Sequence, residues 1–470
     1  MPIRILCLLL VLLAAGCGGR GIDLENMGQS KPTGPLRVVV VDDAKLAATI
    51  GRMWAARTEL KIEIRETTLK EFASADKWSA DIVIYPPPLI GQLVDANRLL
   101  PISPSRLNEN ELAWVDILPL IRLRECTWNK RAYATPFGSR TLVLLYRADI
   151  FDKLKLKPPT TWLEFDKVSK QLSNKTQFSQ LVTGPEWAGS LEPLGKGSAA
   201  VMLLARAASY ARYSGQFSAL FDFKTMEPLI GGPPFVRALK EMIAANHSTS
   251  SKLDVTATLK SIIDGKCAMA ITWPLSELNS LATEKQKIPS ISAASIPGGT
   301  EVYSVRFKKW DKRDGTGGSV VPLLGLEGRI GSVTRESRNR RAAFDALTLL
   351  SNREWSELIA PTSANLTIFR RSHLQVTSRW VDERMPTLAR SYGDVVESTL
   401  SATTSLSCLR IPGRDQYLQA LDDGVRSSLA GKTKPQAALQ AVADKWKAIT
   451  KKLDAKKQRR AYGRSIGLDE

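Results

Sequence analysis

Histidine is almost missing from this chain: His247 and His373 are the only two in 470 residues. So few imidazoles, so far apart, make a histidine-rich metal site hard to assemble, and no His-Glu-x-x-His string occurs. Cysteine is also sparse, with five residues at 7, 17, 126, 267 and 408 and no zinc-like spacing among them. No complete P-loop is present. Gly431-Lys432-Thr433 ends like one, but Arg426 stands where the first glycine belongs, and Gly195-Lys196-Gly197-Ser198 has the wrong spacing. Gly463-Arg464-Ser465-Ile466-Gly467 matches the letters of a nucleophile elbow, yet no apolar strand precedes it, so the required strand–turn–helix context is absent. Long apolar runs are missing too. The best, Ile5 to Ala15, is too short to span a bilayer. Acidic residues are in deficit, 47 against 66 Lys and Arg, a net charge of +19. Without interleaved aromatics in the basic stretches, that excess does not read as a nucleic-acid interface.

What is present begins at the N-terminus. Arg4, the apolar run and the small residues Ala14, Ala15 and Gly16 lead to Cys17, the layout of an export signal. Leu12-Leu13-Ala14-Ala15-Gly16-Cys17 resembles the lipobox of bacterial lipoproteins, with Ala14 where Leu is usual. The resemblance implies a signal over 1–16, lipidation of Cys17 and a stable membrane anchor. Residues 17–35, rich in Gly, Pro and polar side chains, read as a flexible tether. Cys267 reads as a small core hydrophobe; whether Cys126 pairs with Cys408 stays open at this level. At the other end, nine Lys or Arg residues face one Asp between Lys445 and Arg464. Residues 454–470 therefore read as a basic tail, a solvated extension.

The body alternates. Leu36–Val41 is a β-branched run ending at Asp42-Asp43, and an Ala-rich helical stretch follows from Lys45 to Arg57. Leu60–Arg65 alternates as a strand, and Asp81–Tyr85 is a third strand broken by Pro86-Pro87-Pro88. Strand–helix–strand–helix–strand predicts an α/β lobe with a parallel sheet, in which ligands lie beyond the carboxyl ends of the strands. Thr161 before Trp162, with Glu164 three places on, predicts a capped helix start. Pro435–Leu453 places Leu439, Val442, Ala443, Trp446, Ile449 and Leu453 on one helical stripe.

Several segments carry a family resemblance. Tyr133-Ala134-Thr135-Pro136, the apolar strand Leu142–Tyr146 followed by Arg147-Ala148-Asp149, and Pro158-Pro159-Thr160-Thr161-Trp162 come in that order. Further on stand Ala268-Met269-Ala270-Ile271-Thr272 ending at Trp273-Pro274, Ile291–Ile296 before Pro297-Gly298-Gly299, and Arg340–Leu350 before Ser351-Asn352-Arg353-Glu354. This succession resembles the family 1 extracellular solute-binding proteins of ABC importers, the maltose-binding-protein-like group; Arg147 and Ala148 depart from its usual Asn-Lys. The resemblance implies an α/β, two-lobed periplasmic-binding-protein-like fold of type II, with a ligand cleft between lobes joined by hinge strands. Lobe 1 is expected over 36–146 plus 300–370 and lobe 2 over 147–299 plus 371–453.

The function so implied is that of a lipid-anchored extracytoplasmic binding protein, facing the periplasm or exterior. It would act as a monomer without cofactor, delivering a sugar or oligosaccharide to ABC permease subunits. The positive charge admits an anionic sugar. Sugars need flat apolar faces and polar groups around their hydroxyls. Tyr85, Trp187 and Trp273 are the candidates for stacking; Asp42, Asp43, Ser139, Arg140 and Glu186 are the candidates for hydrogen bonding. Each has a plainer reading: a tryptophan is more often core, and Asp42 or Asp43 serves equally as a helix cap. Two rivals stand beside this function, a lipid-anchored glycan hydrolase, since a carboxylate pair leaves no sequence signature, and an interaction lipoprotein that has lost its ligand.

Overall fold

The computed structural model describes residues 34–468 except 183, 214, 217, 246–248, 274–286, 314–316, 364–366 and 382–383. Cys17, the signal and most of the tether lie outside the described residues, as does His247. Nine strands build two sheets: β1 (Leu36–Val41), β2 (Ile62–Thr67), β3 (Ile82–Tyr85), β4 (Thr135–Ser139), β5 (Val143–Arg147), β6 (Ala188–Leu191), β7 (Cys267–Thr272), β8 (Ile291–Ala294) and β9 (Gly328–Val333). The first sheet has the order β2-β1-β3-β9-β4 and the second β8-β5-β7-β6. β1 runs parallel to β2 and β3, as the strand–helix alternation requires, and β9 returns antiparallel between β3 and β4. In the second sheet β5 is antiparallel to both β7 and β8.

Local chemistry explains where the elements begin. Asp43 accepts from the Leu46 N–H at 3.0 Å and caps the helix Ala44–Arg57. Thr68 with Glu71 and Thr161 with Glu164 form reciprocal capping boxes. Trp54 is buried and donates its indole N–H to the Leu60 carbonyl at 2.6 Å, fastening the first helix to the start of the second strand.

The chain passes between the sheets three times. It leaves β4 at Ser139 and enters β5 at Val143, so the apolar strand that ends at Tyr146-Arg147 belongs to the second sheet and the passage itself is only residues 140–142. The other two passages lie side by side: Leu323–Leu324 pairs in parallel with Leu406–Ser407. The helix Pro386–Leu400 is wedged at the junction. Its Ser391 hydroxyl accepts from Ala293 N of β8 at 3.0 Å, while Tyr392 bonds Thr367.

The second lobe is centred on the helix Ala199–Ala211, nearly all of it buried. A helix apolar all round belongs inside a fold, but this one carries Arg206, which is fully buried. Its guanidinium lies 2.9 Å from Glu192 and 3.6 Å from Asp166, with the Trp162 ring 4.1 Å away. Helices Arg414–Leu429 and Pro435–Lys452 close over it; Trp446 donates to the Tyr417 carbonyl at 2.8 Å and stacks on Phe221.

One expectation is corrected and one open question is closed. The segment read as a solvated basic tail forms the helix Ala455–Ser465. Gln458, Ala461, Tyr462 and Ser465 fall on one helical stripe and are buried, while Lys456, Lys457, Arg459 and Arg460 occupy the wet face. Tyr462 accepts hydrogen bonds at its hydroxyl from Ser218, Leu220 N and Phe221 N, and Arg464 reaches Asp95 of the first lobe at 2.6 Å. A charge count hides an apolar stripe of so few residues. Cys126 and Cys408 are free and buried, as is Cys267, so no Cys126–Cys408 bridge forms.

Tyr462→Ala removes a buried ring and the acceptor of three bonds. We expect it to destabilise folding by roughly 3–5 kcal/mol, read as a fall in the urea midpoint. A loss under about 1 kcal/mol would show that the helix is only loosely docked.

Candidate functional site

The strand ends of the first sheet hold five of the expected site residues. Asp42, in the left-handed region at φ 46°, is exposed; its carboxylate accepts from Leu69 N at 3.1 Å and its carbonyl from Arg329 at 2.7 Å. Asp43 is buried, one oxygen capping the first helix and the other bonded to the Ser363 hydroxyl. Both therefore fix the turn after β1. Tyr85 is fully buried, with Phe72 stacked on its ring and its hydroxyl 2.9 Å from Ser332. Burial pushes its phenol far above the ordinary range. It is a core residue, because its strand is covered on both faces.

Ser139 is buried at the first passage between the sheets and donates to Glu125 at 2.8 Å. The same Glu125 oxygen accepts from Gly325 N, in the second passage, at 3.1 Å. Burial pushes the Glu125 carboxyl up to about 7, although both hydrogen bonds and the nearby Arg410 favour the ionised form. Ser139 is therefore part of the hinge rather than a group offered to a ligand.

Glu186 and Trp187 stand at the wrong end of the second sheet. Glu186 is exposed and paired with Lys266 at 2.8 Å, and Trp187 donates to the Leu172 carbonyl at 2.7 Å beside Phe178. β6 and β7 run parallel, Ala188 beside Cys267. Trp273 lies beyond the far end of β7, about 20 Å along the strand at ~3.3 Å per residue.

Arg140 and Trp273 do come together. Arg140 follows β4, Trp273 follows β7, and the guanidinium carbon sits 5.9 Å from the indole centroid. They share a pocket of about 470 Å³, within the range of small-molecule sites. Trp273 is 5% exposed and its indole N–H has no partner among the described residues. Arg140 also pairs with Glu327 at 2.8 Å, from the turn before β9. Three helix starts open on the same space, at Lys196–Val201, Asp254–Thr256 and Arg414–Asp415. Two of them are already capped by carboxylates: Asp422 accepts from Gly197 N and Ala200 N, and Asp254 from Ala257 N. A larger groove of about 760 Å³ runs between the helix Ala44–Arg57 and β2, but it belongs to one lobe and lies at the edge of its sheet.

Sequence reasoning missed Lys196, Asp254, Glu327 and Asp415 in this pocket, and Glu125 in the hinge. None stands in a motif, and the pocket gathers residues from 140 to 422. The one local signal was position: Glu327 sits one residue before β9, as Asp42 follows β1. The glycine-flanked Ser465 is no nucleophile. It is buried at a helix end with its hydroxyl given to the Tyr462 carbonyl at 2.7 Å. His373 is buried against Ser356 at 3.0 Å, and burial holds its imidazole well below the ordinary range.

The profile of the family described as bacterial extracellular solute-binding protein matches residues 63–354. No curated protein matches the chain by sequence. Among solved structures, the ABC transporter solute-binding protein from Agrobacterium radiobacter K84 in complex with ribitol is similar over 89% of this chain and 100% of its own, with a TM-score of 0.62 and 18% identity. The sugar-binding protein MalE from the phytopathogen Xanthomonas citri covers 89% of this chain and 98% of its own, at 0.66 and 15%. The maltose-bound MalE3 of T. maritima covers 88% and 100%, at 0.61 and 15%. These likenesses establish the two-lobed α/β fold.

Glu125 predicts a pH dependence. Its folded value, about 7, lies above the ordinary 4.5, so folding favours the protonated form. Its contribution is full below about pH 4.5 and is lost as the pH rises to about 7. At ~1.4 kcal/mol per unit the loss is on the order of 3 kcal/mol. Glu125→Gln should therefore gain stability relative to the unmodified protein between pH 4.5 and 8. Chemical denaturation at both ends of that range measures it, and a difference independent of pH would refute the assignment.

Proposed function

The chain belongs to the bacterial extracellular solute-binding protein family, and from that premise we propose that it binds a neutral sugar or polyol in the pocket at Trp273 and hands it to an ABC importer. Members of this family and the structural neighbours are binding proteins, not enzymes. The glycan-hydrolase alternative is set aside on that ground.

The observation that carries the ligand class is the pairing of Trp273 with Arg140 between the two sheets. An indole edge offers apolar area to a sugar's C–H face, and its N–H, buried without an acceptor among the described residues, gains from any ligand oxygen that reaches it. The overall charge of +19 is not gathered here. Arg140, Lys196 and Arg414 are balanced by Asp254, Glu327, Asp415 and Asp422, so the pocket favours a neutral polyhydroxy ligand over an anionic one. The neighbours in complex with ribitol, D-mannitol and alpha-D-tagatose point the same way. Of the expected ligand residues, Trp273 and Arg140 are kept in this role, joined by Lys196 and Glu327. The anchor is proposed on Cys17, which places the protein at the outer face of a membrane. Among the described residues no helix is long and apolar enough to cross one.

Two outcomes are expected. In a thermal-shift screen over ribitol, mannitol, maltose and glucuronate, a neutral compound should raise the melting temperature through mass action. Trp273→Phe, which keeps an aromatic ring and removes the N–H, should weaken the hit roughly tenfold in the folded protein, beside the stability that shrinking a buried ring costs. Response to glucuronate alone, or unchanged affinity in the Phe variant, would sink the reading. Separately, Cys17→Ser should leave the protein in the soluble fraction after cell breakage; a salt-washed membrane pellet that still holds it would place the anchor elsewhere.

A further inference from the structure

A second, much smaller cavity lies at the hinge, apart from the sugar pocket. It measures about 60 Å³ and is lined by Arg124, Arg212, Ser405, Ser407, Cys408 and Tyr462. Four segments meet around it: the turn Ile121–Glu125, the end of the helix Ala199–Ala211, the passage at 405–409 and the end of the helix Ala455–Ser465.

Its charges are unbalanced. The Arg124 side chain makes no ion pair or hydrogen bond with any described residue. Arg212 gives one N–H to the Gln216 carbonyl at 2.6 Å, while its Nε is buried without an acceptor among the described residues. Burial and repulsion from Arg124 both lower the proton affinity of Arg212. Arg410, close by, donates to the Arg124 and Ser465 carbonyls. The adjacent carboxylate, Glu125, turns away to Ser139 and Gly325. No carboxylate among the described residues pairs with either lining guanidinium. Like charges left facing one another in a partly desolvated space are costly unless a counter-charge enters.

We propose that this cavity is a binding site for a tetrahedral oxyanion of the inorganic phosphate class. The ion would be held between Arg124 and Arg212 with the Ser405 and Ser407 hydroxyls as further donors. Guanidinium groups match such an ion in geometry as well as charge. The Tyr462 hydroxyl in the wall is already committed to Ser218, Leu220 and Phe221. The size selects the ligand. A space of 60 Å³ accommodates about four waters at ~15 Å³ each, enough for phosphate or sulfate and too little for a sugar ring. A bound ion would join the turn Ile121–Glu125 to the helix Ala199–Ala211 across the hinge.

The test is calorimetric titration of inorganic phosphate into the full-length protein at constant ionic strength, with chloride as the balancing anion. Saturable one-site binding is expected. Arg124→Gln should weaken it at least tenfold, Arg124→Lys should recover part of the loss, and Trp273→Phe should bind phosphate as the unmodified protein does. In phosphate-free buffer Arg124→Gln should melt no lower than the unmodified protein, because a repulsion has been removed. Absence of saturable phosphate binding overturns the proposal, as does equal binding in Arg124→Gln. Neither result bears on the sugar pocket, which is scored by its own ligand.

Discussion

A buried carboxylate, Glu125, is in touch with every passage of chain between the two sheets. Ser139 reaches it from the first, Gly325 from the second, and the charge of Arg410 from the third. Desolvation works against its ionisation while these partners favour it, and the balance leaves the group near the middle of the physiological range. The three passages thus meet at one small polar cluster, walled by Trp128, over whose ring the Arg410 guanidinium lies at 5.4 Å. A residue without a motif thus ties the three passages together.

The pocket follows from the same constraint. Because the first passage is only residues 140–142, Arg140 must lie at the boundary between the sheets, and the antiparallel pairing of β5 with β7 sets Val143 opposite Thr272. Trp273 is delivered next to Arg140 by register, without any contact encoded near either residue. Helix starts from three distant parts of the chain complete the wall. The caps of two of these helices keep the space electrically balanced in a strongly basic protein.

Much of the architecture was legible in local sequence. The β-branched run Leu36–Val41, the Thr161–Glu164 cap and the Leu439–Trp446 stripe each record a local preference or a simple periodicity, and each forms as read. The site was less legible. Tyr85 and Trp187 are aromatic and near strand ends, yet one is sealed on both faces and the other stands at the opposite end of its sheet from Trp273. A strand's sequence gives its alternation but not which end will meet the other lobe. The C-terminal helix shows the complementary failure. Its charges outnumber its apolar residues, so composition concealed the stripe through Tyr462 that docks it.

The sequence by itself determined the family, the order of strands and helices, and the presence of an aromatic at the end of β7, since these rest on periodicity, caps and contiguous motifs. Only the tertiary structure decided that Arg140 meets Trp273, that Arg124 and Arg212 line one cavity with no carboxylate paired to them among the described residues, and that one glutamate links the three passages. Those relations join residues up to hundreds of positions apart. They depend on sheet register and on which surfaces exclude water, and neither is written within any short stretch of chain.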